Sequence, residues 1–93
     1  MRLMLKFTIP VEKGNAAAAD GSLEKAIAAL MAQVKPEAAY FMLADGKRSG
    51  LVFFEQADAA MLPKINEPLF AALEAAIEIQ PVLTADDLKR ALA

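Results

Sequence analysis

The sequence predicts an α+β domain in which one antiparallel sheet carries helices on a single side. The first observation is a hairpin over residues 38–56, where Asp45-Gly46 forms a two-residue turn sequence between apolar strands. The second is the strict alternation of apolar and polar residues over residues 2–9, which indicates a half-buried strand. The third is the three- and four-residue spacing of apolar side chains within residues 23–34 and 57–73, which is typical of amphipathic helices.

The first strand and the helical segment after it are bounded by prolines. Pro10 ends the strand, and residues 11–14 are predicted to form a loop. Asn15 is the expected N-cap of a helix that runs through a series of alanines. Gly21 is expected to kink or restart that helix, and Pro36 stops it.

The hairpin determines which side chains share a face of the sheet. With Asp45-Gly46 as the turn, Tyr40 lies opposite Leu51, and side chains alternate between the two faces with period two. A four-residue loop keeps the same grouping, whereas a three-residue loop would reverse one strand. The face expected to pack against helices carries Phe41, Leu43, Val52 and Phe54, and the other carries Tyr40, Met42, Ser49, Leu51, Phe53 and Glu55.

The C-terminal half supplies a second helical segment, a strand and a short helix. Asp58 opens the helical segment, and Pro63 and Pro68 predict two short pieces or a bent helix. In this scheme Glu67 caps the piece that begins at Pro68. Residues 76–80 form a strand with Ile77 and Ile79 inward and Glu78 and Gln80 outward, and Pro81 suits an edge position. Thr84 then caps a last helix, with Asp87 in the capping-box position.

The predicted order is β-α-β-β-α-β followed by a C-terminal helix. Right-handed crossovers fold such a chain, residues 1–93, into a single ferredoxin-like domain with strand order 4-1-3-2. Both long helices then cover the same side, and the second face of the sheet stays open although much of it is apolar. An uncovered apolar face is unfavourable in a monomer, so we expect a homodimer.

Composition narrows the chemistry that the chain can perform. It contains neither cysteine nor histidine, which removes thiol catalysis, the usual neutral-pH base and the commonest metal ligands. No metal site and no cofactor are predicted. The net charge is −2 with scattered lysines and arginines, so nucleic acid and anionic membranes are not expected partners. No apolar run approaches the length of a spanning helix, and a cytoplasmic location is expected.

Three segments carry a resemblance to a known superfamily: Lys35-Pro-Glu-Ala-Ala-Tyr-Phe41, Asn66-Glu-Pro-Leu-Phe70 and Gln80-Pro-Val-Leu-Thr84. They resemble a group of small bacterial proteins, without assigned activity, within the dimeric α/β-barrel superfamily. The resemblance implies that two ferredoxin-like protomers pack their sheets into one barrel. Relatives with known activities include cofactor-free monooxygenases, haem-degrading enzymes and muconolactone isomerase-like enzymes. Several of these use a histidine, which this chain lacks, so the haem-degrading activity is disfavoured most.

The candidate ligand site lies on the open face around Lys6, Tyr40 and Glu78, with Met42 and Phe53 as apolar walls. Lys6 would anchor an anionic or carbonyl group, and Tyr40 is the only phenol available to donate a hydrogen bond. Each residue also has a simpler structural role, as a cross-strand ion pair or as packing between protomers. The alternatives are therefore a monooxygenase- or isomerase-like enzyme, and a structural dimer without ligand. A site near Asn15 and Glu67 would be the alternative location.

Overall fold

The computed structural model describes the whole chain, residues 1–93, as one sheet with helices on one side. The elements, in chain order, are β1 (Arg2–Thr8), α1 (Val11–Asp20), α2 (Ser22–Val34), β2 (Ala38–Ala44), β3 (Lys47–Glu55), a 3₁₀ turn (Ala59–Met61), α3 (Leu62–Leu73), β4 (Ala76–Pro81) and α4 (Ala85–Leu92). The longest helix has 13 residues, and no helix combines the length and hydropathy that crossing a bilayer requires.

The four strands form one antiparallel sheet in the order β2-β3-β1-β4. This is the predicted order 4-1-3-2 counted from the other edge, so the ferredoxin-like fold is confirmed. The hairpin register is also confirmed, because Tyr40 lies opposite Leu51. Asp45 and Gly46 have φ values of 52° and 75°, the two positive angles that a type I′ turn requires.

The core lies between the helices and one face of the sheet. Odd-numbered residues of β1 and even-numbered residues of β3 supply the sheet side, because these positions share a face in the β1–β3 register. α3 supplies three fully buried side chains at helical spacing. The largest fully buried side chains are Leu5, Phe7, Ile9, Val52, Phe54, Ile65, Leu69 and Leu73.

The outer strand β2 departs from the predicted core. Phe41 and Leu43 lie on the helix-facing side, as predicted, but they are 56% and 74% exposed. The helices bury β1 and β3 and leave this edge of the sheet largely uncovered. Phe41 instead borders an open groove of about 470 Å³ whose other walls come from α1 and α2. The expectation that Phe41 belongs to the buried core was therefore wrong.

The first helix begins earlier than the sequence suggested. α1 starts at Val11, directly after Pro10, so the predicted loop over residues 11–14 and the predicted cap at Asn15 were wrong. Proline is well suited to a helix start because its fixed φ matches the helix and its missing N–H needs no partner. The side-chain oxygen of Asn15 accepts a hydrogen bond from Arg48 at 3.0 Å. Gly21, at φ 85°, does separate α1 from α2, as expected.

Pro68 does not divide the third helix. α3 runs unbroken from Leu62 to Leu73 with Pro68 inside it, so Glu67 caps no helix. A proline at this position cannot donate to the carbonyl four residues earlier, which belongs to Lys64. The side-chain amide of Gln33, on α2, donates to that carbonyl at 3.2 Å and replaces the missing partner. The division occurs earlier, where a 3₁₀ turn capped by Asp58 precedes the helix.

The C-terminal helix α4 stands apart from the core. Thr84 and Asp87 form the predicted capping box, with both hydrogen bonds at 3.0 Å. No residue of α4 is buried, and the apolar side chains Leu88 and Leu92 are exposed. Within one chain this amphipathic helix therefore has little to pack against.

Candidate functional site

The uncovered face of the sheet is organised in rows that run across the four strands. The central row contains Tyr40 on β2, Leu51 on β3, Lys6 on β1 and Glu78 on β4, each directly opposite the next. Neighbouring strands lie about 4.8 Å apart, so the ends of this row are about 14 Å apart. Lys6, Tyr40 and Glu78, the three residues at the centre of the predicted site, thus lie along one line.

Two further rows flank the central one. The row toward the Arg2 end consists of Ala38, Phe53, Met4 and Gln80. The row toward the other end consists of Met42, Ser49, Thr8 and Ala76. The structure therefore places all five predicted site residues on one face within three adjacent rows.

Lys6 and Glu78 face each other without forming an ion pair. They are Cα partners in the β1–β4 register, yet the salt bridges of the chain all involve other residues. Lys6 is half-buried between its neighbours on the face, whereas Glu78 is exposed at the sheet edge. The ammonium group of Lys6 therefore has no carboxylate within 4.0 Å.

Tyr40 and Phe53 form an aromatic pair on the β2 side of the face. Their ring centroids are 6.4 Å apart and the rings are inclined by 74°, an edge-to-face arrangement. Tyr40 is 60% exposed, so its hydroxyl group reaches solvent. The two rings form an apolar surface on this part of the face, and the Tyr40 hydroxyl group is its polar end.

A groove of about 360 Å³ opens on this face next to the aromatic pair. Beyond Tyr40 and Phe53, its walls come from the start of β1, the start of β2 and the segment that leads into α4. The predicted residues Lys6, Met42 and Glu78 do not line it. The lining residues are Arg2, Glu37, Ala38, Tyr40, Phe53, Val82, Leu83 and Thr84.

Arg2 is the residue of this region that the sequence analysis did not identify. Its guanidinium group donates to the carboxylate of Glu37 and, at 3.3 Å, to that of Asp87. It thereby links the start of β2 to the first turn of α4. The hydrogen bond and the charge of Glu37 raise the pKa of Arg2 above its ordinary value. Arg2 and Lys6 are both even-numbered residues of β1, and this alternation already indicates that Arg2 faces the open side.

Asp87 is fixed at the same junction. The backbone N–H of Thr84 donates to its carboxylate, and this bond, together with Arg90, lowers the pKa of Asp87 below its usual value. These contacts favour the charged form of the Asp87 carboxylate, which pairs with Arg2. One end of the open face is in this way closed by a small charged cluster.

Ser49 is the buried polar residue of the face. Its hydroxyl group donates to the carbonyl of Phe7 at 2.8 Å and lies 3.3 Å from the hydroxyl oxygen of Thr8. Its hydrogen-bonding capacity is used within the chain. Ser49 and Thr8 are therefore structural, and the polar side chains of these rows that remain available to a ligand are Lys6, Tyr40, Glu78 and Gln80.

Comparison with known proteins supports the fold alone. No protein-family model matches the chain, and no curated protein matches it. The structure is similar to that of the de novo designed protein Ferredog-Diesel, with a TM-score of 0.50 and 8% sequence identity. The match covers 87% of this chain and 85% of the designed one. A likeness at this level of identity shows a ferredoxin-like arrangement and carries no information on activity.

Proposed function

We propose that the protein is a homodimer of the α/β-barrel type whose paired open faces hold a small, partly apolar molecule. The observation that carries the proposal is the central row of the face, in which Tyr40, Leu51 and Lys6 lie side by side with no helix above them. The resemblance of the sequence to the dimeric α/β-barrel superfamily agrees with this arrangement. Packing two such faces against each other produces the barrel.

The dimer is favoured by the apolar content of the open face. Met4, Met42, Leu51 and Phe53 project from it together with the ring of Tyr40. A contiguous apolar surface of this kind is unusual on a monomer and is typical of an interface. A two-fold symmetric partner covers the same surface on both chains at once.

A ligand is favoured by the state of Lys6. Covering the face removes water from the ammonium group of Lys6, which forms no ion pair within 4.0 Å in its own chain. Burial of an unpaired charge is strongly unfavourable, so an anionic or carbonyl oxygen near this position stabilises the dimer. A molecule with a ring or acyl portion and one carboxylate or carbonyl group satisfies both Lys6 and the apolar walls.

The proposal is tested first by molecular mass and then by a ligand screen. Light scattering at micromolar concentration should give at least twice the mass of one chain. A thermal-shift screen of carboxylic acids and carbonyl compounds that carry a ring or acyl chain should yield stabilising compounds. Lys6→Met and Tyr40→Phe should weaken binding by about tenfold each, which corresponds to the loss of one hydrogen bond to a charged or polar partner.

Lys25→Met provides the matched control, because Lys25 lies exposed on α2 on the opposite side of the sheet. It removes the same charge and should leave ligand binding unchanged. Compounds that bind equally well to all three variants would place the site elsewhere. A dimer that binds nothing in the panel would favour the purely structural role, and a stable monomer would refute the barrel.

A further inference from the structure

The two outer strands of the sheet differ in how their free edges are protected. β4 has six residues, contains Glu78 and ends in Pro81, and charge and proline are both features that prevent a strand edge from pairing. β2 has seven residues, Ala-Ala-Tyr-Phe-Met-Leu-Ala, with no charge, proline or glycine among them. An exposed, uncharged edge strand of this length is a site of strand pairing.

The apolar side chains of β2 are exposed on both faces of the sheet. Tyr40 and Met42 are exposed on the open face, and Phe41 and Leu43 on the helix-facing side. Covering the open face alone would leave Phe41 and Leu43 in water. A strand paired to the free edge of β2 provides cross-strand neighbours for its side chains on both faces at once.

The backbone groups available for pairing belong to alternate residues of β2. Ile9 donates to the carbonyl of Arg48 at 2.9 Å, so even-numbered residues of β3 bond to β1 and odd-numbered residues bond to β2. Through the hairpin register, even-numbered residues of β2 then bond to β3. The N–H and C=O groups of Ala39, Phe41 and Leu43 consequently point outward.

We propose that β2 pairs in antiparallel orientation with β2 of a second copy of this chain, with the two-fold axis at Phe41. This register joins the two sheets into one continuous sheet of eight strands. It pairs all three outward-facing residues, because Phe41 meets its own counterpart and Ala39 meets Leu43. No other strand of the chain offers an uncharged edge of matching length.

The side chains complement one another in this register. Ala39 lies opposite Leu43 on the helix-facing side, so a small side chain meets a large one. Tyr40 lies opposite Met42 on the open face, where a thioether and an aromatic ring make a favourable contact. No charged residue falls within the paired strands. The acidic residues Glu37 and Asp45 meet only beyond the strand ends, where Glu37 is already paired with Arg2. The groove of about 470 Å³ beside Phe41 leaves room on the helix-facing side for the second copy's aromatic ring.

This interface is distinct from the proposed packing of the open faces. One interface uses the free edge of β2 and the other uses the open face of the sheet. Each interface has its own two-fold axis. Where their two axes intersect at right angles, the two interfaces together produce a closed assembly of four chains, whereas either alone produces a dimer. The two proposals therefore stand or fall separately.

The test uses opposite charges at the two-fold axis. In Phe41→Lys and in Phe41→Glu, two like charges meet across the interface, and each variant should lose the edge contact and show half the wild-type mass. An equimolar mixture should recover the wild-type mass, because lysine then meets glutamate. Phe41 is 56% exposed, so both variants should fold, as circular dichroism will check. Leu43→Lys, at a still more exposed position, provides a second disruptive variant.

Two control variants make the result specific. Phe70→Lys adds the same charge at an exposed phenylalanine of α3, away from the free edge of β2 and from the open face, and should leave the mass unchanged. Leu51→Lys places the charge at the centre of the open face and should disrupt only the face-to-face contact. Single variants at Phe41 that keep the wild-type mass, or a mixture that fails to recover it, would overturn the edge pairing. If Leu51→Lys loses assembly and the Phe41 variants do not, the face-to-face contact is the only interface of the protein.

Discussion

The two strands of the hairpin have similar compositions and very different surroundings. Phe54 on β3 and Phe41 on β2 lie on the same side of the same sheet, yet Phe54 is 1% exposed and Phe41 is 56% exposed. β3 is hydrogen-bonded to strands on both sides, whereas β2 has a neighbour on one side only. The same residue type therefore serves the core in one strand and the surface in the other.

This difference shows that alternation and burial are separate properties. The period-two pattern determines the face toward which a side chain points. Whether that face is covered depends on where the helices lie over the sheet. An apolar residue that points to the helix-facing side but lies beyond the helices is available to a second chain, and Phe41 and Leu43 are such residues.

The largest effect that would test this contrast comes from truncating the two phenylalanines. Phe54→Ala should reduce the free energy of unfolding by about 3–5 kcal/mol, because it leaves a cavity in the core. Phe41→Ala should cost less than about 1 kcal/mol within one chain, since its ring is already half in water. Urea unfolding followed by circular dichroism measures both values.

Protein concentration separates the two substitutions further. The loss in Phe54→Ala should be the same at every concentration, whereas Phe41→Ala should reduce the part of the stability that rises with concentration. Equal losses at low concentration would show that the helices cover β2 in solution, and would remove the contrast between the strands.

A smaller effect is expected at Gly50, where the two strands meet the core. A Cβ atom at Gly50 would lie 2.5 Å from the ring of Phe7, which is buried and cannot move aside, and 3.3 Å from the ring of Phe41. Gly50→Ala should therefore reduce the free energy of unfolding by about 1–3 kcal/mol.

A double-mutant cycle identifies the cause of that loss. Phe7→Leu removes the ring atoms nearest to Gly50, so Gly50→Ala should cost less in the Phe7→Leu background than in the wild type. Additive losses would show that the clash with Phe7 is not the reason.

The smallest effect concerns the open face. Ser49 on β3 is buried and donates to the carbonyl of Phe7, whereas Met42, its partner on β2, is exposed. Ser49→Ala should reduce the free energy of unfolding by about 1 kcal/mol through the lost hydrogen bond. Thr8→Val removes only the longer 3.3 Å contact and should cost less. If Thr8→Val reduces the free energy of unfolding at least as much as Ser49→Ala, the bond from Ser49 to the carbonyl of Phe7 is not the more important of the two.

The features that the sequence predicted well are those determined by local pattern and turn chemistry. Asp45-Gly46 fixed the hairpin, the hairpin fixed the register, and the order of elements then allowed one sheet topology. The alternation of side chains predicted that Lys6, Tyr40 and Glu78 share the open face, and the registers of β1 with β3 and β4 bring them into one row. Thr84 and Asp87 formed the predicted capping box because that motif involves only near neighbours.

The features that the sequence missed depend on partners far away in the chain. Nothing near Phe41 shows that the helices end short of β2. Arg2 links Glu37 and Asp87, and the three residues are up to 85 positions apart. The early start of α1 has a local reason, because Pro10 both ends the strand and suits the start of a helix.

The proline inside α3 ties the identities of two distant residues together. The carbonyl of Lys64 accepts from Gln33 only because residue 68 supplies no N–H. If residue 68 becomes alanine, the helix satisfies its own carbonyl and Gln33 is free to change. If Gln33 changes while Pro68 stays, the carbonyl loses its protein partner. In related sequences that share this fold, we expect glutamine at position 33 to accompany proline at position 68. Where one of the two residues is replaced, we expect the other to be replaced as well.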